Sequence, residues 1–228
     1  MRVLTPDKSE PGELHRVLYL LPVEKLGEAR YGDGLAEAAR LDLPNRYGVI
    51  CVLPEFSDLR WYADHPTDNK LRQEAYFINE VLPMIESSHP VVEGRAGRML
   101  VGFSKSGWGA FSLLLRHPNL FDKAAAWDAP LTKTAPDQFG MGPIFGTQEN
   151  FARYQITKSV RKVATSLGNE PRLFHLGYGA FREHHTAFES LLGNLNVPHV
   201  YHDGPAREHN CSSGWLAEAT ELLLRTDP

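Results

Sequence analysis

The chain has 228 residues, 42% hydrophobic and 23% charged, with a formal net charge of −4. That length suits one ordinary domain able to bury a core without disulfides or a structural metal. The mild charge, with no basic run, argues against a nucleic-acid partner, and no apolar run approaches the ~20 residues of a membrane helix.

The polar start, Met1 to Gly12, lacks the apolar stretch of a secretory signal, and this predicts a cytoplasmic protein. The first strand is predicted at Arg16–Leu21, ended by Pro22, and the next at Gly48–Leu53, ended by Pro54, with a short helix over Leu35–Leu41 between them. Cys51 falls inside the second apolar run, so a buried free thiol is expected there. Asn69–Glu86 carries Leu71, Ala75, Ile78 and Leu82 at helical spacing. A third strand, Arg98–Gly102, runs into Phe103 and Ser104, and a helix over Gly107–Arg116 ends at His117-Pro118.

Lys123–Trp127 is the fourth strand, followed at once by Asp128-Ala129-Pro130. Leu131–Gly146 has no clear period and is expected to form a lid or loop. Then come a helical stretch over Phe151–Leu167, a strand at Pro171–Leu176, a helix over Arg182–Leu192, a strand at Pro198–Tyr201 and a terminal helix over Trp215–Arg225. Strands alternating with helices define an α/β class with a mostly parallel sheet covered on both faces, here as a single domain over 1–228.

Val101-Gly102-Phe103-Ser104-Lys105-Ser106-Gly107 joins a strand to a helix, the setting of a nucleophile elbow. The turn is tight, so small residues are required two places either side of the nucleophile. Gly102 meets that demand, and Ser106 stands where G-x-S-x-G has its second glycine. Such a turn exposes Ser104 Oγ at the edge of the sheet and makes the Lys105 N–H the natural first oxyanion donor. Glycine–serine turns are also common without chemistry; here the flanking strand and helix, and suitable partners downstream, favour catalysis.

α/β-hydrolases order their triad as nucleophile, acid, histidine. His209 occupies the loop between the last strand and the terminal helix, whereas His199 and His202 sit on the strand or at its end and read as packing residues. The usual position for the acid, the loop Gly177–Phe181, holds no aspartate. Asp128, at a strand end one strand earlier, is favoured over Glu183, the alternate acid, and Asp203 is ranked last because Asp203-Gly204 is a turn signal. The acid after that earlier strand resembles the arrangement of pancreatic-type lipases.

Four segments carry a wider resemblance: Tyr19–Pro22, Pro54–Ser57 with Trp61–Asp64, Gly102–Ala110 with Arg116–Phe121, and the run Gly204…His209…Trp215. Together they resemble the esterase D-like branch of α/β-hydrolases, which includes S-formylglutathione hydrolases, feruloyl esterases and mycolyl transferases. The resemblance implies the α/β-hydrolase fold and places the second oxyanion N–H at Glu24, because Pro22 has no N–H to give. It also moves Trp61 and Tyr62 from plain core aromatics toward a pocket rim. This chain departs from the family at Ser106 and at the missing acid after the fifth strand.

No metal or cofactor is expected. Adjacent His184 and His185 point to different sides of a helix, no H-E-x-x-H or C-x-x-C occurs, and Gly32-Asp33-Gly34 and Gly177-Tyr178-Gly179 are turn material rather than dinucleotide loops. The expected activity is a serine hydrolase cleaving a carboxylic ester or thioester through a Ser-His-Asp triad and an acyl-enzyme, with a small-molecule ester as substrate. A non-catalytic binding protein, or an acyl transferase or peptidase of the same fold, are the alternatives. The sequence is silent on oligomeric state.

Overall fold

The computed structural model describes residues 1–25, 30–58 and 61–224. In chain order the elements are β1 (Arg2–Leu4), β2 (Arg16–Leu20), α1 (Gly34–Arg40), α2 (Leu43–Tyr47), β3 (Val49–Leu53), α3 (Gln73–Tyr76), α4 (Leu82–Ser88), β4 (Arg98–Phe103), α5 (Ser104–Arg116), β5 (Lys123–Trp127), α6 (Met141–Phe145), α7 (Gln148–Tyr154), α8 (Ile156–Val163), β6 (Leu173–Leu176), α9 (Arg182–Asn194), β7 (His199–His202) and α10 (Trp215–Leu224). The strands form one sheet in the order β1-β3-β2-β4-β5-β6-β7. Only β1 runs antiparallel, pairing Arg2 with Leu53 and Leu4 with Cys51. Arg225, expected in the last helix, lies outside the described residues.

Alternation along the strands explains the two layers of core. On β4, Met99, Val101 and Phe103 join Trp127, Trp215 and Leu223 beneath α10, while Leu100 joins Tyr19, Phe111 and Phe188 on the opposite face. A strand buried on both sides reads as a continuous apolar run, as the parallel strands here do. From β2 the chain steps outward to β3 and then crosses back to lay β4 on the other side of β2. Open α/β sheets bind ligands where the strand order reverses, at the carboxyl ends of the strands. Ser104 follows the end of β4.

The expected helix over Asn69–Glu86 begins later, at Gln73, and is broken by a π-helical turn over Phe77–Val81. Gln73 Oε1 accepts the N–H groups of Trp61 and Tyr62, which ties the entry to the preceding loop. Pro83 cannot donate to the helical ladder, and a π-turn just ahead of it takes up the mismatch. The Leu131–Gly146 stretch carries α6, whose Met141, Ile144 and Phe145 are buried. Phe145 packs edge-on against Trp108 and Phe151. Trp61 and Tyr62 are wholly buried, so the shift toward a pocket rim is corrected: both belong to the core.

Candidate active site

The elbow has no linker. β4 ends at Phe103 and α5 starts at Ser104, whose backbone takes the left-handed φ of 53°. A non-glycine residue held there is strained, and such strain persists only where the surroundings impose it. A Cβ on Gly102 would lie 2.5 Å from the Ser106 carbonyl, and one on Gly107 would lie 2.9 Å from Ala129 Cβ. The tight contacts therefore fall on Gly102 and Gly107 rather than on position 106. Ser106 turns back on its own helix: its Oγ accepts from Phe103 N–H at 3.1 Å and donates to Phe103 O at 2.9 Å. That explains how serine fits where the family has glycine. Ser106→Ala removes this cap and is expected to lower unfolding stability by about 1 kcal/mol, read from urea denaturation.

His209 sits against Phe103 (ring centroids 5.2 Å), Tyr31 (5.5 Å) and Trp127 (5.9 Å). Its loop is pinned on both sides. Cys211 N–H donates to Tyr31 O at 2.7 Å, and the Trp215 indole donates to Asn210 O at 3.0 Å. Cys211, like Cys51, is a buried free thiol, and burial pushes both up to about 12.

Asp128 Oδ2 lies 2.6 Å from His209 Nδ1. Asp128 is fully buried, with a left-handed φ of 42°, and its other oxygen accepts from Phe181 N–H at 2.6 Å. Burial by itself raises a carboxyl pKa. The bond from His209 and the N–H of Phe181 outweigh it, so Asp128 is held below the usual range. With the Nδ1 proton directed at the carboxylate, the other ring nitrogen of His209, Nε2, is the one left to act as a base. Among the described residues, neither Nε2 nor Ser104 Oγ has a hydrogen-bond partner.

The loop after β6 carries no acid, and Gly179 shows what it contributes instead. A Cβ there would sit 2.2 Å from Asp128 Cγ. The loop thus makes room for a carboxylate arriving from the neighbouring strand. Sequence reasoning took Gly177-Tyr178-Gly179 for turn material and missed this; a second glycine two residues past a strand end was the available signal. Glu183 is exposed on the first turn of α9, and Asp203 makes a two-point ion pair with Arg182.

Lys105 occupies the first turn of α5, where helix N–H groups point out of the helix. Glu24 lies in the loop after β2, its carboxylate accepting Tyr31 N–H at 3.2 Å. The loop is fastened by Leu21 N–H to Val101 O at 2.9 Å and by the Tyr62 hydroxyl to Pro22 O at 2.7 Å. Tyr62 also holds the elbow helix close, since a Cβ on Gly109 would fall 2.1 Å from its ring. A cavity of about 90 Å³ is walled in part by Pro22, Glu24, Tyr31, Phe103 and Trp215.

His175, Glu189 and His199 place their ligand-capable atoms within 4.8 Å of one another. Hydrogen bonds assign the protons there. Ala129 N–H donates to His185 Nε2 at 2.8 Å, so His185 carries its proton on Nδ1 and points it at His175 Nδ1, 3.3 Å away. His175 then carries its own proton on Nε2, which lies 3.2 Å from Glu189 Oε2 without a hydrogen bond to it. A metal would have to displace that proton. Burial, with histidine neighbours adding to it, holds His175 well below the ordinary histidine value, and burial brings His185 down to about 3. His175 and His185 form a buried pair that joins β6 to α9 and ends at the backbone beside Asp128, while Glu189 on α9 pairs with His199 on β7 at 2.7 Å. His202, the other strand histidine, pairs with Glu218 at 3.0 Å.

A mostly parallel sheet with helices on both faces and a strained serine at the end of β4 defines an α/β-hydrolase fold. The family model "Putative esterase" matches residues 49–175. The chain belongs to this esterase family. Its structure resembles a ferulic acid esterase (21% identity, TM-score 0.72) and two Staphylococcus aureus proteins, the fluorophosphonate-binding serine hydrolase FphF and the S-formylglutathione hydrolase FrmB (16% identity each; TM-scores 0.78 and 0.75). Each alignment covers 98% of this chain and 91% of the other. No curated protein matches the sequence. No helix among the described residues is long and apolar enough to cross a membrane.

Proposed function

We propose that the protein hydrolyses a small-molecule carboxylic ester or thioester by double displacement, with Ser104 as nucleophile, His209 as general base and acid, and Asp128 as the orienting carboxylate. The observation that carries this is the 2.6 Å contact between His209 Nδ1 and a buried, ionised Asp128, with His209 packed on the residue preceding a strained Ser104. His209 Nε2 takes the Ser104 proton as Oγ attacks the acyl carbon. The carbonyl oxygen gains negative charge, and the N–H groups of Lys105 and Glu24 stabilise it. The leaving alcohol or thiol departs with the proton from His209. Water, deprotonated by the same nitrogen, then attacks the acyl-enzyme and releases the acid. The Ser104–His209 hydrogen bond forms as substrate closes the site, since such bonds are often long or absent in free enzymes.

The named relatives fit this chemistry: one is a ferulic acid esterase, one hydrolyses S-formylglutathione, a thioester, and one is named for binding fluorophosphonates. The same proposal places the enzyme in the cytoplasm, where its two buried thiols stay reduced. A fluorophosphonate probe followed by peptide mass spectrometry tests the assignment. The expected adduct is on Ser104, formed in the wild type and lost in Ser104→Ala. An unlabelled wild type would instead support a non-catalytic member of the fold.

A further inference from the structure

We propose that Phe139, with Phe181, forms the wall that receives the leaving group, and that the enzyme prefers esters of aromatic or bulky apolar alcohols. This rests on the assignment of His209 as the proton donor to the leaving oxygen.

Leu14, Met84 and Phe139 are the large hydrophobic residues that stand exposed among the described residues. Scattered exposed apolar side chains need no explanation by themselves. Phe139 differs from the other two in three ways. Its backbone is left-handed, at φ 54°, which an aromatic residue adopts only under constraint. Its carbonyl is anchored by the indole N–H of the buried Trp61, at 3.2 Å. Its ring stands edge-on to Phe181, with centroids 5.7 Å apart.

Phe181 in turn lies 6.3 Å from the His209 ring, and its own N–H holds Asp128. A continuous aromatic path therefore runs from solvent at Phe139, through half-buried Phe181, to the imidazole. Backbone strain that keeps a large apolar ring in water is expected at a binding site, where a ligand covers the ring. The group attached to the oxygen that His209 protonates leaves along this path. An aromatic or branched alcohol offers these rings a large apolar surface to pack on, whereas a methyl or ethyl group offers little.

The test measures kcat/KM for two substrate series with wild type, Phe139→Gly and Phe139→Tyr. One series holds the acyl group constant: ethyl, benzyl and 2-naphthyl acetate. The other holds the alcohol constant: ethyl esters of acids of increasing size. Each substrate is compared with itself across the variants, so the intrinsic reactivity of the leaving group cancels. Glycine suits a φ of 54°, so Phe139→Gly is expected to fold, and its melting curve checks this.

For Phe139→Gly, the ratio of kcat/KM on 2-naphthyl acetate to that on ethyl acetate is expected to fall roughly tenfold, the worth of one aromatic edge-to-face contact. Benzyl acetate should follow it, and Phe139→Tyr should restore the ratio to within about twofold. Ratios that stay level across the acetates, or a loss that tracks acyl size instead, would overturn the proposal. A wild type that hydrolyses neither series would overturn the underlying esterase assignment, and this one with it. Normal wild-type turnover with unshifted ratios would overturn only the role of Phe139.

Discussion

Ser104→Ala is expected to lower kcat on a short p-nitrophenyl ester by about four to six orders of magnitude while leaving the fold intact. The size of the loss follows from its position. Ser104 Oγ sits at the end of the central strand β4, with no hydrogen bond among the described residues to hold it in a structural role. Alanine therefore removes the nucleophile without orphaning a partner. Thermal unfolding should shift by no more than an ordinary surface substitution, about 0.5 kcal/mol. Ser106 cannot take over, because it is fully buried and its hydroxyl both accepts from and donates to Phe103. Residual turnover would come only from oxyanion donors and binding. A kcat within tenfold of wild type would remove Ser104 from the mechanism.

Much of the fold was legible because parallel strands buried on both faces leave unbroken apolar runs. Val49–Leu53 and Lys123–Trp127 are such runs, and both fall where the sequence places them. β1 was not legible: it is three residues long and exists only through antiparallel pairing with Leu53, Val52 and Cys51, some fifty positions on. α2, at five residues, is too short to show a periodic face. At the candidate site, order and placement in the sequence single out Ser104 and His209. They do not single out the supporting residues. Gly179 matters only because the Asp128 carboxylate fills the space a side chain would take, and Tyr31 only because its carbonyl holds the Cys211 N–H. Those are relations across the fold, and nothing in the local sequence encodes them. In the sequence Asp128 stands only as the strand-end alternative to an absent acid, with Glu183 as its competitor; in the fold it is Asp128 that lies 2.6 Å from His209.

The choice between those two carboxylates gives the second large expected effect. Asp128→Asn should lower kcat by about four orders of magnitude, whereas Glu183→Gln should change it less than twofold. Asparagine tolerates the left-handed φ of 42° and keeps the shape of the side chain, so the loss isolates the carboxylate's charge and its acceptor capacity. With an amide in place, its NH₂ group can face His209 Nδ1, which then becomes the acceptor; the proton moves to Nε2, and the base can no longer take one from Ser104. Glu183 points into solvent from the start of α9 and has no such lever. Gly179→Ala offers an independent check that the carboxylate's position matters as well as its presence. The added methyl, 2.2 Å from Asp128 Cγ, forces the acid away from the imidazole, so the variant should approach Asp128→Asn in kcat while KM moves far less. If Asp128→Asn and Glu183→Gln cost equally little, the orienting group lies elsewhere, and the 2.6 Å contact with His209 is a structural bond only.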